Sequence, residues 1–383
     1  MYAERTPYAP RKGCELRGSL KVKIMLERFH VSDDIAVRVP IEPMRATVED
    51  IFRKMGMNDA DAEQSADVLL YADIRGIDSH GVSNMLRQYV ADFGAGNINP
   101  RPDWKIVREA PAIANIDGDR GHGLVLGPIA MNIAIERAKT YGIGAVTVGN
   151  SRHSGAAAYH AAMALEHGMI GIAMTTGSLN MAPTFGAQRL VGLNPIACAV
   201  PTLEMPPFVF DAAMSAVASN KIRLAKRLGA KALPGWIAEL DGTPIMEERE
   251  IPEDFMMLPF GGTREIGSHK AYGLAVMVEV LTSALAATGA GPHRRAGISH
   301  HMIAYNVEAF ADLDTFKHDM DDYMRSLANS PTAPGAERVV YAGLPEHEAE
   351  IDRRANGIPY HPEVLEWFRH ITAELGIPDR FDA

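Results

Sequence analysis

The chain is poor in cysteine. Its 383 residues include two, Cys14 and Cys198, too few and too far apart for a disulfide framework. A reducing compartment is therefore the default expectation. No C-x-x-C or H-E-x-x-H spacing occurs, so no zinc site is signalled. The adjacent pair His300-His301 would point to opposite faces of a strand, and no metal is expected there. Basic residues are also in deficit: 38 Lys and Arg stand against 48 Asp and Glu, a formal charge of -10. That balance argues against nucleic acid, which needs a basic surface. No apolar run is long enough to span a bilayer, so no membrane partner is expected and the cytoplasm is the simplest location. Basic residues near the start (Arg5, Arg11, Lys12, Arg17) lead into no apolar stretch with a cleavage site, and residues 1–38 are read as an N-terminal extension.

What remains is ordinary globular material, 47% hydrophobic and 22% charged, enough for a large core. The first third has helical spacing. Val48, Ile51, Phe52 and Met55 form one stripe before Gly56, and Ala66, Leu69 and Leu70 form the next, ending at Gly76. Another short helix runs from Asn84 to Phe93. From Ala112 to Pro259 apolar strand-like runs alternate with helices, among them Gly144 to Val148, Gly171 to Thr175, Ile196 to Val200 and Phe208 to Phe210. Pro128 reads as a helix opener with Gly142 as its stop. The last third returns to helix. Ala271 to Ala287 is apolar and rich in small residues, as for a buried or interface helix, and 314–327 and 361–375 are amphipathic.

Five segments carry candidate chemistry. Gly121-x-Gly123-x-x-x-Gly127 follows a strand and precedes a helix, but its third glycine is one place late for a dinucleotide loop, and it reads as a glycine-rich turn. Ser79-His80-Gly81 exposes an imidazole on a turn, where histidine is the natural proton carrier at neutral pH. Asn150 to Ala158 joins a strand to a helix whose start is all small residues. Its free N–H groups would make an anion site for cofactor phosphates. Phe208-Val209-Phe210-Asp211 ends an apolar strand with a carboxylate that either caps a helix or partners a histidine. Lys270 is a candidate cation for a substrate carboxylate.

Together these segments resemble the malate/L-lactate dehydrogenase family of the second type, whose members include ureidoglycolate and sulfolactate dehydrogenases and the piperideine/pyrroline-2-carboxylate reductases. The resemblance rests on Asp73 to Val82, Ser151 to Ala157, Gly192 to Ala197, Gly235-Trp236, Asp241 to Pro244 and His269 to Leu274, in that order. It implies an α/β (α+β-like) fold that is not Rossmann: a largely antiparallel sheet domain for the nicotinamide cofactor, over 112–259, and a helical substrate and dimer domain from both chain ends, 39–111 and 260–383. It implies NAD or NADP as cofactor, a small anionic substrate and a homodimer. By the same resemblance Ser79, His80 and Asp211 form a proton relay with His80 as imidazolium donor, and His153 is the rival for that role. His153, Ser154, Gly155, Ala156 and Ala157 would form the cofactor loop, with Ala199, Val200 and Pro201 a second cofactor segment. Lys270 would contact substrate. Many members carry arginine where Asn84 stands, and Arg87, about one helical turn on, is the expected substitute. The implied activity is hydride transfer between nicotinamide and C2 of a small 2-oxo/2-hydroxy acid. The alternatives are an NADPH-dependent reductase of a cyclic 2-imino acid and a catalytically silent nicotinamide-binding protein.

Overall fold

The computed structural model describes residues 31–381 apart from Leu228. Cys14 and most of the N-terminal extension lie outside the described residues. Helix Ile41–Lys54 buries Met44, Val48, Ile51 and Phe52 on one face, the expected stripe, but starts seven residues before the first expected position, Val48. Helix Asp59–Ile74 is capped by Asn58, which accepts the Asp61 N–H at 2.9 Å, and is buried almost all round in its second half. It therefore runs through the core and delivers its last residues to an interior site.

The fold centres on a seven-stranded sheet in the order Lys105–Ala110, Ile113–Asp117, Ile143–Ser151, Ile298–Asn306, Met169–Thr175, Ile196–Val200, Phe208–Ala212. Every adjacent pair is antiparallel except Ile113–Asp117 with Ile143–Ser151, which are parallel and joined by helix Gly123–Tyr141. An antiparallel-rich α/β fold, not a Rossmann fold, is what the sequence led us to expect. The sheet reaches outside 112–259 on both sides, through Lys105–Ala110 and Ile298–Asn306. His300 and His301 lie on that last strand, both buried, and no metal-holding cluster occurs among the described residues.

Pro128 sits inside helix Gly123–Tyr141 and does not open it; His122 caps the start by accepting the Leu124 N–H. The region between the two predicted C-terminal amphipathic helices contains a third, Leu344–Asn356. Helices Ile41–Lys54 and Pro362–Leu375 pack together, as do Asp59–Ile74 and Leu344–Asn356. A short antiparallel ladder, Val37–Val39 with Ile358–Tyr360, ties the two ends. A smaller sheet of Ile237–Ala238, Met256–Met257, Leu179–Met181 and Val191–Gly192 has its own apolar core around Met181, Ile237 and Met257. No described helix is long and apolar enough to cross a membrane.

Candidate active site

The Ser79-His80-Gly81 turn is built by the buried carboxylate of Asp73. One oxygen accepts the Val82 N–H at 2.8 Å, capping helix Val82–Gly94, and the Tyr360 hydroxyl donates to it at 3.1 Å. Burial pushes the Asp73 carboxyl up to about 7, with the Val82 N–H opposing. Gly81 lies against this group: a Cβ there would stand 1.9 Å from Asp73 Oδ1. On the other side Arg353 donates to the Asp73 carbonyl and, at 2.6 Å, to Asp78 Oδ1. Asn84 donates to the Asp78 carbonyl at 2.6 Å and Asn220 to the Ser79 carbonyl at 2.8 Å. The turn is thus held from three directions.

On this platform Ser79 Oγ lies 2.9 Å from His80 Nδ1, leaving Nε2 open to the cavity. The ring stacks on His153, centroids 5.7 Å apart and planes inclined by 16°. His153 Nδ1 accepts the Gly155 N–H at 3.2 Å and lies 2.6 Å from the Tyr89 hydroxyl. Burial holds the Tyr89 phenol well above its ordinary range, so its hydroxyl donates. With Nδ1 committed as acceptor, neutral His153 carries its proton on Nε2. Burial holds His153 well below the usual histidine range, helped by the neighbouring His80. Burial, with the Lys221 ammonium second, lowers His80 to about 4. Before any ligand binds, His80 is therefore neutral at physiological pH.

Asp211 is placed differently from the expected relay. Its carboxylate faces the cavity and accepts the Ala158 N–H at 2.8 Å; among the described residues no hydrogen bond joins it to His80. The enclosing walls push its carboxyl up to about 6, against the pull of the Ala158 and Ala157 N–H groups. The same contact bears on the phosphate site expected at the helix start. The first N–H groups of helix Ala157–Ala162 are already engaged by a carboxylate, which repels an anion.

Ser79, His80, Asn84, His153, Asp211 and Lys221 all line one cavity of about 840 Å³, as do Gly155, Ala157 and Ala158. Other expected site residues do not reach it. Ser154 and Ala156 are sealed beneath it, and the Ser154 carbonyl faces His160 Nε2 at 2.8 Å. Ala199 is buried in the sheet between Gly171 and Val209, and Val200 and Pro201 also lie off the cavity wall. Lys270 is exposed on helix Ser268–Glu279, outside the lining. Arg87 is exposed too, its guanidinium 5.3 Å above the Trp367 ring. The cavity instead presents Lys221, Thr175 to Ser178, Tyr71 and Glu346, none of which the sequence reading selected. Lys221 follows the Ser219-Asn220 helix start, and that alone could have marked it.

This is the site of an oxidoreductase: two facing imidazoles and an ammonium in a cavity beside an antiparallel-rich sheet. The chain belongs to the malate/L-lactate dehydrogenase family, whose model matches residues 39–369. It is 38% identical over 360 residues to the malate dehydrogenase of Pyrococcus abyssi, covering 92% of this chain and 99% of that one. It is 35% identical to the L-sulfolactate dehydrogenase of Methanocaldococcus jannaschii, covering 88% and 96%. The solved malate dehydrogenase of Pyrococcus horikoshii superposes with a TM-score of 0.83 at 34% identity, covering 91% and 98%.

Proposed function

We propose that the chain interconverts a small 2-hydroxy acid and its 2-oxo acid with a nicotinamide cofactor, NAD or NADP, and that His80 carries the proton. The observation behind this reading is the pair of neutral, stacked imidazoles with Lys221 in the same cavity. At about 840 Å³ the cavity far exceeds a four-carbon acid and suits a larger second ligand. Its small lining residues, Gly155, Ala157, Ala158, Ala212 and Ala213, leave room for a flat ring. When bound, the nicotinamide accepts or supplies the hydride.

Neutral His80 is the form that takes a hydroxyl proton, at Nε2, while Ser79 Oγ accepts from Nδ1–H. In the reductive direction the protonated ring returns it. His153, a fixed Nε2–H donor, holds the C2 oxygen. Malate and sulfolactate, named for the relatives, are doubly anionic 2-hydroxy acids, and Lys221 supplies a positive charge for such a substrate. An anion beside Lys221 also offsets the charge that depresses His80, so substrate binding brings its pKa toward the working range. Asp211 acts as a positioning residue for the Ala157 helix.

His80→Ala should cut kcat by about 10²–10⁴ and leave cofactor affinity nearly intact. His153→Ala abolishing turnover while His80→Ala stays near wild type would reverse the assignment. Helix Ser268–Glu279 and the turn after it leave Leu274, Met277, Val280 and Leu285 on the surface. An apolar face of this kind supports the homodimer, and a dimer mass by light scattering at micromolar concentration is the expected result, a monomer the contrary one.

A further inference from the structure

The basic side chains that line the cavity differ in what they meet. Arg75 pairs with the buried carboxylate of Glu350 at 3.1 Å, and Arg353 pairs with Asp78 at 2.6 Å. Both guanidinium groups are buried and already engaged by carboxylates of the chain. Arg223 also lines the cavity but is exposed, and it donates to the side-chain carbonyl of Asn220, a neutral group. No carboxylate among the described residues pairs with it. Asn84, on the same cavity wall, brings no charge, and its amide is engaged by the Asp78 carbonyl at 2.6 Å.

Helix Ser219–Arg227 sets the place of this guanidinium. Successive helix residues are turned by about 100°, so Lys221 lies about 100° to one side of Asn220 and Arg223 about 60° to the other. The Asn220 amide between them donates to the Ser79 carbonyl at 2.8 Å. One amide thus ties the helix to the turn that carries His80, and Arg223 stands two hydrogen bonds from that turn. Lys221 is near enough to His80 for its charge to act on the ring. The carboxylates that would repel an anion, Asp211 and Glu346, belong to other elements, strand Phe208–Ala212 and helix Leu344–Asn356.

A 2-hydroxy acid with its reacting carbon at His80 and one acid group at Lys221 has the Asn220–Arg223 edge beside it. The guanidinium is a planar fork that matches a carboxylate or a sulfonate, and no internal ion pair has to break first. A substrate with one acid group leaves that fork unused. A substrate with two engages both cations.

We propose that Arg223 is a specificity-determining residue that holds the second acid group of the substrate, the one remote from the reacting carbon, while Lys221 meets the first. This rests on the 2-hydroxy acid reading above. The test is steady-state oxidation of malate, and of lactate, which lacks the second acid group, by wild type, Arg223→Gln and Lys226→Gln, each checked for native melting. Lys226 is exposed on the same helix and off the cavity wall, so it controls for loss of charge alone. Arg223→Gln should raise KM for malate about tenfold, with kcat, KM for lactate and calorimetric affinity for NADH and NADPH within about twofold of wild type. Lys226→Gln should behave as wild type. An unchanged KM for malate in Arg223→Gln overturns the proposal and leaves the dehydrogenase reading standing. Equal losses on malate and lactate do the same, since Arg223 would then act on the His80 turn through Asn220. Weaker cofactor binding also overturns it, because Arg223 would then meet a cofactor phosphate. An equal rise in KM from Lys226→Gln would reduce the effect to long-range charge, and wild type that oxidises lactate but not malate has no use for the second cation; either result overturns the proposal. Failure of wild type to oxidise malate, sulfolactate or lactate with either cofactor overturns both readings.

Discussion

Two glycine-bearing segments invite a functional reading, Gly121 to Gly127 and Ser79 to Gly81, and only the second opens onto the cavity. The first even sits at a parallel strand–helix–strand crossover, the setting of a dinucleotide loop. Yet every residue from Gly121 to Gly127 is buried. A Cβ on Gly123 would lie 2.5 Å from the Arg152 carbonyl, and one on Gly127 would lie 2.5 Å from the His160 ring. These glycines admit protein, not ligand. They let the helix lie against the loop that carries His153. Gly81 also admits a protein group, the Asp73 carboxylate, but the residues just before it face the cavity. Glycine in such motifs marks close approach, and burial decides what approaches.

Substitutions test the contrast, and the largest effect belongs to Gly81→Ala. Its methyl group meets a buried carboxylate that caps a helix and holds the His80 turn, so the turn must shift. A displacement of about 1 Å at a reacting group can cost roughly 10² in rate, and kcat should fall by at least that much. Gly123→Ala should act the other way round. Overpacking against fixed backbone costs about 1–3 kcal/mol, readable in urea melts, while kcat falls less because only the His153 loop is pressed and the His80 turn is untouched. Equal loss of activity in both variants would remove the distinction.

Much of this was legible in the chain. The Ser-His-Gly turn, the apolar strand ending in Asp211 and the weakness of the glycine motif all follow from local chemistry. What was not legible came from long-range placement. Nothing local indicates that Asp211 caps a helix beginning 54 residues earlier in the chain at Ala157. Lys221 sits among Arg223 and Lys226, a pattern that reads as a solvated helix face. Glu346 lies in a stretch of charge and proline that resembled a connection and is a helix. Lys270 and Arg87 were the cations that local sequence offered, and the fold turns both outward. Family motifs located the turn and the loop, but which cation meets the substrate depends on how the helices pack.

A smaller effect sharpens the same comparison through pH. Around the glycine segment and the strand behind it, His122, His160, His300 and His301 are sealed from solvent. Burial leads the shift in each, to about 3 for His122 and His300 and about 4 for His160 and His301. In the unfolded chain all four titrate near 6.5. Between those limits the unfolded state binds more protons, so this contribution to stability is present above pH 6.5 and lost as pH falls toward 4. Asp73 opposes it: with its carboxyl raised to about 7, the fold holds a proton there that the unfolded chain releases above its own pKa of about 4. Asp211, open to cavity water, opposes it less. Four histidines against one sealed aspartate leave a net uptake on unfolding near pH 5.5. Each net proton is worth about 1.4 kcal/mol per pH unit. Urea melts from pH 7 to pH 5 should therefore show falling stability with an uptake of at least one proton. His80→Ala, which removes an imidazole also lowered to about 4, should reduce that slope, as should His300→Asn. A flat profile would mean that the sealed imidazoles are reached by water, and that the glycine segment is not the closed packing joint described above.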